Sequence, residues 1–66
     1  MIKPKEKPVV KLIGENGNSF NIMGIVKKAL KEAGADKEYI DKYLNEAMSG
    51  DRDHLLVVTY NYVEII

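Results

Sequence analysis

The stretch between Asn18 and Gly50 constrains this chain most, because its apolar residues recur at helical spacing twice and break off in between at "AGAD". Ile22, Met23, Val26, Leu30 and Ala33 fall on one stripe of a helix expected over residues 19–33, with Ala29 beside it and Lys27, Lys28 and Lys31 outside it. Gly34 supplies a C-cap and Asp36 an N-cap. A second helix over 37–49 then carries Ile40, Tyr43, Leu44, Ala47 and Met48 on its apolar face, with Tyr39 at the edge, and Gly50 ends it. So short a connection makes the pair an antiparallel helical hairpin. Gly24 sits inside the first helix at a cost of ~1 kcal/mol relative to alanine, which predicts another backbone in close approach.

The flanks read differently. Pro4 and Pro8 punctuate a lysine-rich start, so residues 1–7 are expected as a flexible basic arm and 8–66 as one domain. Val9, Val10, Lys11, Leu12 and Ile13 suit a short strand, with Val10 and Leu12 facing the core and Lys11 facing water. The last segment, "DRDHLLVVTYNYVEII", mixes two signals. Its β-branched and aromatic residues favour strand, whereas Leu55, Leu56, Thr59, Tyr60 and Val63 recur at helical intervals behind Asp51 or Asp53 as a cap. We read a short third helix over 54–61 and a strand over 62–66 with Val63 and Ile65 inward and Glu64 in water; the alternative is one long strand over 56–66. The expected fold is α+β: β-α-α-(α)-β, with a two-stranded antiparallel sheet packed on the helical hairpin. Two strands alone are marginal and leave edges open to pairing with another chain.

Between the first strand and the first helix lies "GENGNSF". Gly14, Asn16 and Gly17 tolerate positive φ, and Asn18 or Ser19 can cap the helix. A Walker loop needs Gly-Lys-Ser/Thr, but Gly17 is followed by Asn18, and a dinucleotide loop needs a third spaced glycine. A turn with a cap accounts for every residue, leaving only the weak anion affinity of a helix N-terminus as the other reading.

"VKLIGENGNSF", "IVKKALKEAG", "YIDKYLNEAMSGDRDHLL" and "YVEI" resemble a family of short uncharacterised bacterial proteins found in genomes rich in phage and mobile-element genes. The resemblance covers residues 9–66. It implies a helix after "SGDRDHLL", although "VVTYNY" departs toward strand-forming residues, and it brings no assigned activity, cofactor or binding residue.

Composition narrows the chemistry. A 66-residue chain buries only about 60% of its unfolded surface, and small domains often add disulfides, a metal or a partner. With no cysteine and a single histidine, oligomerisation is the support left, and the lack of cysteine fits the cytoplasm. No window is apolar enough for a membrane span. His54 with Asp51 and Asp53 is the one compact titratable cluster. Without a second histidine it reads as caps and solvated charge rather than a metal site. Neither Ser19 nor Ser49 sits in a nucleophile motif, so we expect no enzyme, metal or cofactor.

Formal net charge is zero, yet residues 1–31 carry +5 and residues 32–66 carry −5. Lys3, Lys5, Lys7, Lys27, Lys28 and Lys31 are therefore candidate nucleic-acid contacts. A recognition helix holding Glu38, Asp41 and Glu46 opposes a groove-reading role. The stronger expectation is protein contact. Val57, Val58, Tyr60, Tyr62, Ile65 and Ile66 exceed what a small core can cover, which points to a homodimer or another protein partner.

Overall fold

A computed structural model describes residues 1–12 and 19–66. The elements follow as β1 (Val9–Val10), α1 (Ser19–Glu32), α2 (Lys37–Ala47), α3 (Arg52–Tyr62) and β2 (Glu64–Ile65). The expected glycine-rich loop lies outside the described residues.

α1 buries Ile22, Met23, Val26 and Leu30, the stripe its spacing dictates, and leaves Lys27, Lys28 and Lys31 in water. It ends in a Schellman arrangement. Gly34 takes φ 99°, its N–H donates to Lys31 O at 3.1 Å, and the Ala35 N–H donates to Leu30 O at 3.0 Å. Ala35 and Leu30, which such a motif brings together, are both buried. Asp36 then caps α2, its Oδ1 accepting from the Tyr39 N–H at 2.9 Å. No backbone approaches Gly24: a Cβ placed there meets nothing within 4 Å, so the close approach expected at this glycine is not found.

The third helix is longer than the expected 54–61 and faces a different way. Asp51 caps it, accepting from the His54 N–H at 3.0 Å, and the buried side chains are Leu55, Val58, Thr59 and Tyr62. The expected stripe of Leu55, Leu56, Thr59, Tyr60 and Val63 is thus rotated, putting Val58 and Tyr62 inside and Tyr60 outside. Two hydroxyls explain the turn. Thr59 Oγ1 donates to Leu55 O at 2.8 Å and lies 2.8 Å from Tyr43 Oη, so threonine, a poor helix former, is fixed at the α2–α3 seam. Tyr62 packs edge-on against Tyr39 and Tyr43, with ring centroids 5.3 and 5.1 Å apart.

The expected antiparallel sheet is overturned even though the third helix is present as expected. β1 and β2 pair in parallel, with Val9 opposite Glu64 and Val10 opposite Ile65. Two helices between strands bring the chain back reversed; a third full helix, 11 residues long, reverses it once more. Parallel pairing needs a long crossover, and the three helices supply it. The Glu64 N–H donates to Pro8 O and the Ile66 N–H to Val10 O, each at 2.9 Å. Val10 and Val63 close the core, while Val9, Lys11 and Glu64 stay in water as their alternation requires.

The arm has defined contacts. The Ile2 N–H donates to Asp36 Oδ2 at 2.9 Å and Ile2 O accepts from the Asp36 N–H at 3.1 Å, so Asp36 both caps α2 and holds the arm. Lys7 Nζ donates to Tyr60 O at 3.3 Å, and Lys5 and Lys7 line a hollow with Ala33.

Candidate interaction surfaces

The six apolar residues expected at a protein interface divide by burial. Val58 and Tyr62 are each 6% exposed and belong to the core; Ile65 is half-buried; Val57, Tyr60 and Ile66 are 61%, 58% and 59% exposed. Val57 and Tyr60 stand one turn apart on the side of α3 away from its buried stripe. Asp53, a turn earlier on the same side, is exposed and sits in the first turn, where a negative charge is favoured. Lys7, at the Tyr60 carbonyl, brings a positive charge to the other helix end, where it complements the macrodipole. Ile66 extends β2 on the face of the sheet turned to water.

A second apolar feature lies at the start of α1. Phe20 and Met48, 77% and 57% exposed, line a hollow of about 210 Å³ with Met23 and Leu55 among its walls. Sequence spacing left Phe20 unassigned and put Met48 in the core. Met48 follows the last turn of α2 as its C-cap, and its exposure follows from that end position.

The candidate nucleic-acid residues separate into two groups. Lys27 and Lys31 join Lys37, Ala35, Ile40 and Asp41 around a groove of about 330 Å³ between α1 and α2. Lys5 and Lys7 lie by the end of α1 at Ala33, and Lys3 and Lys28 are exposed elsewhere. A further hollow, of about 700 Å³, lies along α2 and mixes Lys37 and Lys42 with Glu38, Asp41 and Glu46, so its charges largely offset one another.

His54, Asp51 and Asp53 do not converge on a ligand position, and among the described residues no three metal-ligating side chains cluster. Asp51 is spent as a cap. The imidazole ends α2: Nε2 lies 3.0 Å from Glu46 O and 3.0 Å from Ser49 Oγ, and Ser49 Oγ donates to Glu46 O at 2.7 Å. Glu46 O only accepts, so that contact requires a proton on Nε2. The signal missed in the sequence was the pairing of Gly50 with His54. A Cβ on Gly50 would lie 2.7 Å from the imidazole Cγ, so only glycine leaves the ring its place.

Tyr39, Tyr43 and Tyr62 form a shielded cluster, apart from the exposed Tyr60. Burial raises the Tyr43 hydroxyl above its usual pKa, against a smaller opposing effect of the Thr59 hydrogen bond. Burial also raises Tyr62, reinforced by the Glu46 carboxylate that its hydroxyl reaches at 3.0 Å. The Asp36 carboxyl is held below its usual value, first by the Tyr39 N–H and then, against some desolvation, by the Ile2 N–H and the terminal ammonium.

Among the described residues no helix is long and apolar enough to cross a membrane. Comparison with family models, curated proteins and solved structures finds no match to this chain, so the family resemblance places no residue role on these surfaces.

Proposed function

We propose that this chain is a small, non-enzymatic interaction module that associates with itself. The observation that carries this reading is the outer side of α3, where Val57 and Tyr60 stand side by side in water on a molecule too small to shelter them. Tyrosine is a common interface anchor because it buries a large area with few rotatable bonds and keeps a polar tip. Ile66, on the open face of the sheet, adds apolar surface at the same end of the sequence.

Sedimentation over a wide concentration range tests it. Wild-type protein is expected to rise in weight-average mass with concentration, and Val57→Asp to remain monomeric with its helical circular dichroism intact. Val58→Asp is the contrasting variant: it buries a carboxylate in the core and is expected to unfold the domain rather than only separate subunits. A wild-type protein that stays monomeric at the highest attainable concentration overturns the reading.

A second reading, a nucleic-acid-associated accessory protein, is favoured by the gathering of Lys27, Lys31 and Lys37 at one groove and of Lys5 and Lys7 at the end of α1. Asp41 in that groove and the acidic residues of α2 oppose it. It predicts binding to DNA or RNA that weakens steeply with salt and disappears when Lys27, Lys28 and Lys31 are neutralised. Absence of binding in low-salt buffer ends it.

A further inference from the structure

Resting on the self-association proposed above, we infer how the two copies meet: α3 packs antiparallel on α3 of a second copy, with Lys7 of each protomer against Asp53 of the other. At 100° per residue, Asp53, Val57 and Tyr60 fall within about 60° of one another around the helix. They lie opposite the side that buries Leu55, Val58, Thr59 and Tyr62. Asp53 precedes the midpoint of Val57 and Tyr60 by about 8 Å along the axis. The Lys7 amine, 3.3 Å from the Tyr60 carbonyl, stands beyond that midpoint on the other side. Along its axis the strip therefore runs acid, apolar, apolar, base. Arg52, the positive charge at this helix end, lines the hollow beside Phe20 together with the capping Asp51 and so leaves the charge of Asp53 on the strip.

That order selects the orientation. Two parallel copies would set carboxylate against carboxylate and ammonium against ammonium. Two antiparallel copies related by a two-fold axis place each carboxylate beside the partner's ammonium and close Val57 and Tyr60 over each other in the middle. The contact is isologous, uses the same strip twice and ends at two subunits. A strip on one 11-residue helix is small beside the ~800 Å² per partner of a standard stable interface, so the dimer is weak and its orientation depends on the charges at its rim.

Charge reversal with mixing tests the arrangement. Asp53→Lys alone puts two ammonium groups together at both ends of the antiparallel dimer, and Lys7→Glu alone puts two carboxylates together; each is expected to weaken association roughly tenfold at low ionic strength. An equimolar mixture of the two variants has complementary charges at both ends and is expected to recover association as a heterodimer. The recovery cannot come from repaired folding, because each chain keeps its single substitution, and circular dichroism of each variant alone confirms its helices. If Asp53→Lys associates better with wild type than either protein does with itself, the packing is parallel and the inference is overturned. Should Val57→Asp abolish self-association while neither reversal changes it, the α3 contact stands and the charge pairing falls. Strictly monomeric wild-type protein removes both.

Discussion

At Thr59 one hydroxyl ties α3 both to its own preceding turn and to α2. The side chain is fully buried, bonds back to Leu55 O and meets the Tyr43 hydroxyl. Thr59→Val keeps the volume but leaves a buried phenol without its partner, which is expected to cost about 1–3 kcal/mol in urea unfolding. Adding Tyr43→Phe removes the orphaned hydroxyl, so the double variant is expected to be more stable than Thr59→Val alone, and a strictly additive cycle would deny the coupling. Gly24 is the opposite case. It is exposed on α1 with open space around it, so Gly24→Ala is expected to raise stability by about 0.5–1 kcal/mol, read from the same urea midpoints.

Among the elements, α1 and α2 were legible because their signals are local. A stripe such as Ile22, Met23, Val26 and Leu30, with Gly34 and Asp36 between the helices, fixes bounds and inward face without reference to the rest of the chain. α3 was legible as a helix but not in its facing. Val57, Val58, Tyr60 and Tyr62 are similar enough in polarity that several stripes fit, and the choice falls to the Tyr43–Thr59 bond and the tyrosine cluster, which sequence spacing does not show. The apolar strip of the candidate surface inherited that ambiguity, so Tyr60 was recognised together with the core residues Val58 and Tyr62. The α2–α3 turn offers its own check. Gly50→Ala drives a methyl group into the His54 imidazole and is expected to destabilise by about 1–2 kcal/mol in thermal or urea unfolding. Combining it with His54→Ala removes the ring from the collision but leaves the Cβ of residue 54, 2.8 Å away, so the second substitution is expected to cost somewhat less in the Gly50→Ala background than in wild type without restoring wild-type stability.

For the molecule as a whole, all three helices were legible but the strand direction was not drawn from their number: three full helices between β1 and β2 return the chain parallel, not antiparallel. The buried tyrosines give the whole domain an alkaline limit. Tyr43 and Tyr62 stay protonated in the folded state above the pH near 10 at which an exposed phenol ionises. Their contribution is therefore complete below about pH 10 and is lost as pH rises beyond it. Urea midpoints are expected to hold between pH 8 and pH 9.5 and to fall steadily above pH 10, with a shallower fall in Tyr43→Phe; a midpoint unchanged at pH 11 would contradict this. On the acid side the sign reverses. Asp36 is held below its usual value of 3.8, so what it contributes is present above that value and lost below it, loosening the α2 cap and the arm together.

Because the first and last elements lie side by side and point the same way, tension applied through the arm and through Ile66 pulls the two strands lengthwise past each other. The bonds from Glu64 to Pro8 and from Ile66 to Val10 then bear load together instead of opening one after another like a zipper. Once the Ile2–Asp36 contact has let go, the three helices between them carry no force until that clasp gives way. A domain tethered at both ends would accordingly resist stretching and then yield in a single step, its strength set by its two smallest elements.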